Sequence, residues 1–346
     1  MLYKISNILF DDEDTNYIVV ILGALCFPLI FYVAFVYGLL PGMFLTLVAY
    51  YYFIKYTKEK HWYQLVISAL SINLAILLIG NNLIHLLAIF AVAVIYFIRN
   101  KDWKVIAFIL SCVFLMSASK SVITNYYEVK SQKEIAEGVP KITWIAMGMQ
   151  EGEREAGWWN RFNYDIMPEE EYDTKRITEI SKTSMKQRLN VFRDNPKYAF
   201  DFYQRKYENQ FIEPTFQSLL VTAPQRNFSN ETTLEKIRDF FVKEIYFNHT
   251  HTVLEFIMKV FQVFVYLFTF VFAVVMYKRK NEFFAIIPIA FIGGTLFNMI
   301  WEAKSRYIFP YFVFLIPLAA YGLVIVRNKI KEYKKLKEEK DEKSTI

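Results

Sequence analysis

"YIFPYFVFLIPLAAYGLVIV", residues 307–326, runs for 20 positions without a charge. A hydrocarbon core about 30 Å thick takes about 20 apolar residues of helix. On one side stands "WEAKSR", residues 301–306, and on the other the basic run "RNKIKEYKKLKEEK" from Arg327. A charged edge, an apolar run of membrane length and a basic tail read as one transmembrane helix. The composition extends that reading to the chain. Hydrophobic residues make up 55% and aromatic residues 18%, and charge gathers between apolar windows instead of spreading over them. Inside a bilayer the backbone must satisfy its own hydrogen bonds, which a helix does within one segment. The expected fold class is an all-α polytopic membrane protein.

About eight spans are expected, near 17–37, 43–56, 63–80, 83–98, 104–123, 254–276, 283–300 and 307–326. The connections "KYTKEKH" (55–61), "RNKDWK" (99–104) and "YKRKNE" (277–282) are basic, as is the tail. Short loops rich in Lys and Arg remain in the cytoplasm. Eight spans place all four there, together with both termini. The alternate connections "YGLLPG", "GNN" (80–82) and "WEAKSRY" then face outward. The expected division is an N-terminal bundle of about five spans (1–123), an extracytoplasmic domain (124–253), a C-terminal bundle of about three spans (254–326) and a basic cytoplasmic tail (327–346). The net charge of +6 follows from these loops and the tail, and implies no nucleic-acid partner. Cys26 and Cys112 both lie in apolar runs, and two cysteines do not make a disulfide or metal framework.

Residues 124–250 carry 18 Lys and Arg against 20 Asp and Glu, a balanced surface that does not oppose translocation. "VPKITWIAMGMQEGEREAGWWNRFNYD" (139–165) reads as structured loop. From Thr174 the spacing predicts a helix with Met185, Leu189 and Phe192 on one face. "DNP" (194–196) stops it, because the residue before proline disfavours the α region. A second helix follows with Ala199, Tyr203 and Tyr207 on one face, ending before Pro214. A third runs from Thr232 to about Tyr246, opened by the capping residues of "SNETT". Amphipathic helices of this kind lie against a leaflet or roof a cavity.

Glu302, Lys304, Arg306 and Tyr307 gather at the outward junction. An Arg there binds phosphate bidentately, and a Tyr sits at headgroup depth. The bland alternative is a snorkelling cluster that anchors two helix ends. Asn82 and His85 lie at the same level between spans three and four. Asn73 and Asn298 read as helix–helix hydrogen bonds. In the loop, Trp144, Trp158 and Trp159 offer faces for a sugar ring, Gly148 permits close approach, and Asn160 adds a polar contact. A compact loop pinned by aromatic burial is the alternative there. His249 and His251 fall short of the three or four ligands of a zinc site, so no metal ligand is assigned. "DDED" (11–14) looks like an acidic metal or nucleotide-sugar motif but falls on the cytoplasmic side. Sequons at Asn227, Asn230 and Asn248 face outward.

Five stretches together resemble the GT-C membrane glycosyltransferases, in particular the bacterial relatives of the dolichyl-phosphate-mannose protein mannosyltransferases. They are "FVYGLLPGMFLTLVAYYYFIKY", "NNLIHLLAI", "WIAMGMQEGEREAGWWN", "NPKYAFDFYQRKYENQFIEPTF" and "EAKSRYIFPYFVFLIPLAAYG". The resemblance implies transfer of a sugar from a polyprenyl-phosphate carrier to an envelope glycan or protein on the outer face of a bacterial plasma membrane. It implies contact with membrane lipid and a divalent cation, Mg or Mn. Arg306 and Tyr307 would meet the lipid phosphate, with Glu302 shaping the pocket. The family's acid stands in the first outer loop, where "YGLLPG" has none, so no catalytic acid is assigned. Its members are longer at the N-terminus, and this chain looks like the C-terminal part of one. A lipid-linked polysaccharide polymerase or ligase, and a non-catalytic binder of lipid-linked glycan, are the competing expectations.

Overall fold

The computed structural model describes residues 1–135, 138–224, 232–276 and 282–344, and among these every regular element is helical. The first part contains α1 (Leu2–Phe10), α2 (Glu13–Leu25), α3 (Phe27–Phe31), α4 (Leu39–Glu59), α5 (Trp62–Leu78), α6 (Leu83–Asn100) and α7 (Trp103–Ser131). A helical cap follows, with α8 (Lys141–Gly148), α9 (Phe162–Glu169), α10 (Thr174–Asp194), α11 (Pro196–Glu208), α12 (Ser218–Thr222) and α13 (Thr233–Tyr246). The chain closes with α14 (His249–Met276), α15 (Ile286–Ile300) and α16 (Ser305–Ser344).

Five of these helical stretches are long and apolar enough to cross a membrane: Gly80–Asn100, Trp103–Ser131, His249–Met276, Phe283–Ile300 and Ser305–Asp341. The α2–α3 pair makes a sixth if counted as one span, bent by 57° at Cys26. The apolar α5 is shorter, at 17 residues. Within the bundle α16 is the hub. Of its apolar window 83% is buried, against 11% for α7, which turns its side chains to the surroundings. Close helix approach at the hub depends on Gly322, where a Cβ would lie 2.0 Å from the Phe268 carbonyl oxygen. Small residues at helix interfaces in lipid permit such contact. Gly322→Ala is therefore expected to cost about 1–3 kcal/mol by overpacking. Thermal unfolding in detergent checks this, and an unchanged midpoint would mean that α14 and α16 do not meet there.

Several expected boundaries move. The span expected at 17–37 is broken at Cys26 and leaves helical form after a 3-10 turn at Tyr32–Ala34. The span expected at 43–56 is longer, because Pro41 falls in the first turn of α4, where backbone N–H groups have no helical partner to lose. It ends at Lys60 in the left-handed region. The span expected at 104–123 continues to Ser131. The supposed loop 139–165 holds two helices. Thr143, Ala146 and Met147 have helical spacing, and α8 buries them. The buried faces of α10 and α11 agree with expectation in part, with Met185, Phe192, Ala199 and Tyr203 packed in one cluster. Phe192 is buried, but Leu189 and Tyr207 are half exposed, and α11 buries Phe202 and Lys206 instead. The α13 start agrees with the reading, with Thr232 and Glu235 forming a reciprocal capping box. The first ten residues, which carried no expectation of structure, form a helix against α2, α4 and α16. Ile5 is fully buried, and Phe10 stacks on Tyr321 at 4.3 Å.

The polar residues near 10, 60, 100 and 327 meet at one end of the bundle. Tyr56 donates to Asp102 at 2.8 Å, and Lys60 pairs with the same carboxylate at 3.3 Å. Lys58 donates to the Ile8 carbonyl, and Arg327 pairs with Asp14. Asp12 caps α2 by accepting from the Thr15 N–H at 2.8 Å. The "DDED" stretch thus opens α2 and pairs with the basic tail. Residues 277–281, Asn227 and Asn230 lie outside the described residues. Asn248 donates to Glu244 at 2.7 Å, and His251 pairs with Glu255 at 3.4 Å. Asn73 donates to Ser119 across α5 and α7, the helix–helix bond expected of it. The cap sits on the opposite end of the bundle, around residues 301–307.

Candidate functional site

The site starts from the break between α15 and α16. Trp301 to Lys304 run without helical structure, and Ser305 begins the hub helix. The cap grips this stretch by its backbone. Ala303 donates its N–H to the Gly157 carbonyl at 3.0 Å. Gly148 ends α8 so close to Trp301 that a Cβ would lie 2.3 Å from the Trp301 carbonyl oxygen. Lys206, fully buried on α11, donates to the carbonyls of Gly148 and of Trp301, the latter at 2.6 Å. From another side, the Glu213 carboxylate accepts from the Thr215 N–H at 2.8 Å, the Thr215 hydroxyl, the Gln217 N–H at 2.5 Å and the Ser305 hydroxyl at 3.0 Å. That loop also accepts from Tyr32 through the Phe216 carbonyl, and Phe216 packs on Phe309 and Phe312.

Held in this way, the junction separates two cavities. The inner one, about 240 Å³, reaches into the bundle between Tyr37, Met43, Asn82, His85 and Tyr311. The cap-side one, about 610 Å³, lies under Trp144, Arg154, Trp158 and Trp159 and includes Glu302. Arg306 and Tyr307 line both. Arg306 Nη2 donates to the Tyr307 hydroxyl at 3.2 Å. Arg306 Nε is buried with no hydrogen-bond partner among the described residues. The Glu302 carboxylate accepts from the Tyr307 hydroxyl and from the Trp159 N–H, beside the Arg306 guanidinium. Burial pushes its carboxyl above the usual range, against the pull of these partners. Lys206 is drawn down to about 7 by burial, with Glu302 pulling the other way.

The residues expected at the site divide into three groups. Asn82 and His85 reach the inner cavity, already bound within the bundle. Asn82 donates to the Ala75 carbonyl at 2.8 Å, and His85 Nδ1 shares a hydrogen with Tyr50 at 2.8 Å. Trp144, Trp158, Trp159 and Glu302 reach the cap-side cavity, while Arg306 and Tyr307 reach both. Lys304, Gly148 and Asn160 line neither. Lys304 pairs with Glu155 at 2.5 Å and lies 4.1 Å from the Trp158 ring centroid. Burial raises the Glu155 carboxyl, but the Lys304 hydrogen bond and charge, a backbone N–H and Arg154 together hold it below its usual value. The Gly148 approach serves backbone packing. Asn160 accepts from the Phe162 N–H at 3.1 Å and opens α9.

Two further residues matter here. Arg154 stacks over Trp158 and Trp159, at 4.5 and 4.9 Å from their centroids, and adds a second cation to the cap-side wall. Lys206 fixes the cap to the junction. Its only sequence signal was a Lys four residues after Phe202, on what is the buried face of α11.

The divalent cation that the resemblance implies does not fit this donor set. Among the described residues no group of three His, Cys, Asp or Glu gathers. At the junction itself Glu302 is surrounded by N–H and O–H donors and a guanidinium.

A multi-helix bundle with several membrane-length apolar helices defines an integral membrane protein of the polytopic α-helical class. Residues 8–324 match the model of a family described as conserved hypothetical integral membrane protein, and the chain belongs to that family. No curated protein and no solved structure matches it.

Proposed function

We propose that the protein is a GT-C-like glycosyltransferase of the bacterial plasma membrane. It moves a sugar from a polyprenyl-phosphate carrier to a glycan or protein of the cell envelope. One observation carries the reading. Arg306, half-buried and with a buried Nε that has no partner among the described residues, stands where a cavity of mixed lining, between Met43, Asn82, His85 and Tyr311, meets a Trp-lined cavity under the cap. A lipid-linked sugar suits this arrangement by its head: a phosphate for the guanidinium and a ring for the indole faces, with its chain left to the surrounding lipid. Adding α4 and α5 to the six candidate spans gives eight. The basic end then faces the cytoplasm and the cap faces out. Leu234, Ile237, Phe240 and Phe241, exposed on α13, would rest in the outer leaflet.

Sidedness is tested by labelling intact cells with a membrane-impermeant thiol reagent. Glu153→Cys in the cap is expected to react and Lys335→Cys in the tail to stay silent. Cys26 and Cys112 are buried and give no background. The reverse pattern would invert the topology. The activity is tested in proteoliposomes with a radiolabelled polyprenyl-phosphate hexose and cell-envelope acceptor. Label is expected to move to the acceptor as free polyprenyl phosphate appears. Binding of the carrier without transfer would leave a non-catalytic receptor for lipid-linked glycan.

A further inference from the structure

Displacing a sugar from a phosphate requires two things. The leaving phosphate needs a cation, and the acceptor hydroxyl needs a base. Arg306 meets the first need. Among the described residues lining the two cavities, Glu302 is the one carboxylate. It is 6% exposed, and it borders the cap-side cavity immediately beside the phosphate clamp. The neighbouring acids are already committed. Glu155 is held by Lys304, Glu151 by Arg205 at 2.7 Å, and Glu213 by Thr215, Gln217 and Ser305. Glu302 accepts from Tyr307 and Trp159, but a carboxylate offers about four acceptor sites, so room for an acceptor hydroxyl remains.

We propose that Glu302 is the general base, a role that rests on the glycosyltransferase reading above. The acceptor hydroxyl, lying among the tryptophans, gives its proton to the Glu302 carboxylate. Its oxygen bonds to the anomeric carbon as the bond from that carbon to the phosphate oxygen breaks. The electron pair leaves on the phosphate, which Arg306 holds. Tyr307 joins the two halves, accepting from Arg306 and donating to Glu302. Among the described residues the charged and titratable groups facing Glu302 are Arg306 and Tyr307 from α16 and Lys206 from α11, and Arg154 lines the same cavity. Burial raises the Glu302 carboxyl, so the acid limb of the transfer rate belongs above the ordinary carboxylate range.

The test compares wild type, Glu302→Gln, Glu302→Asp and Arg306→Gln in nanodiscs. Binding is read with undecaprenyl phosphate, and transfer with the radiolabelled polyprenyl-phosphate hexose and envelope acceptor. Glu302→Gln is expected to bind undecaprenyl phosphate within about two-fold of wild type, which also shows that it folds. Its transfer is expected to fall by about 10²–10⁴-fold, and its residual rate to lose the acid limb. Glu302→Asp keeps that limb with an intermediate rate. Wild-type transfer by Glu302→Gln, with transfer by Arg306→Gln impaired, would overturn the base and leave the transferase standing. A wild-type protein that binds undecaprenyl phosphate but transfers nothing would overturn both the base and the transferase, leaving a receptor. One that does neither would overturn the phosphate clamp as well.

Discussion

Replacing Arg306 by Ala is expected to lower glycan transfer by about 10²–10³-fold while the protein still inserts, a loss typical of removing one electrostatic contact to a transition state. A guanidinium is a rigid fork of five N–H donors. Here one nitrogen is used on Tyr307, and the buried Nε has no partner among the described residues. Charge accumulates on the phosphate oxygen as the sugar departs, so the contact is worth more in the transition state than in the bound donor. The loss should therefore fall mainly on kcat. Arg306→Lys should recover only part of it, because an ammonium does not reproduce bidentate geometry. Radiolabel transfer in proteoliposomes measures both variants. Unchanged transfer in Arg306→Ala would remove the phosphate role and return this junction to an interfacial anchor.

The bundle was legible because hydrophobicity in lipid leaves a long, uninterrupted trace. The run 307–326 has no charge, and it is the buried hub. What the sequence concealed followed from local physics. Nothing in the hydropathy of "LGALCFPLIF" announces a 57° bend, which arises where the helix gives way at Cys26 just before Pro28. Within 139–165 the i, i+3, i+4 spacing of Thr143, Ala146 and Met147 spans little more than one turn among Gly and Trp residues, too short a trace to mark a helix. The site was half legible. Arg306, Tyr307 and the tryptophans stood out by residue type and by their shared level. Their separation by cavity depends on tertiary contacts among residues far apart in the chain. The placement of Lys304 was hidden for that reason. A Lys beside an Arg invites a phosphate, yet its partner Glu155 lies in a distant loop of the cap. Lys206 was hidden for the opposite reason, since a Lys on a polar helix is ordinarily solvated.

Lys206→Met is expected to loosen the cap from the bundle, and the effect should depend on pH. Met fills much of the same volume but donates no hydrogen bond. The carbonyls of Gly148 and Trp301 then lose a donor inside a packed junction, at about 1–3 kcal/mol each if left unsatisfied. In the native protein burial draws the amine down to about 7 from an ordinary 10.5. Below pH 7 both the folded and unfolded states hold the proton, and the cost of burying the ammonium weighs fully on the fold. Between about pH 7 and 10.5 the unfolded chain keeps a proton that the folded protein has released, so stability rises with pH through that window. The neutral amine retains N–H groups for both carbonyls, so the contacts persist as the desolvation cost disappears. Thermal unfolding should therefore show the wild-type midpoint climbing from pH 7 towards pH 10, with the Lys206→Met midpoint lower and flatter. The gap should be small near pH 6 and widest near pH 10. A wild-type profile parallel to that of Lys206→Met would mean that the amine is solvated. The cap would then be held to the junction by its other contacts, among them Gly148 packing, the Gly157–Ala303 hydrogen bond, the Lys304–Glu155 pair and the Ser305–Glu213 hydrogen bond.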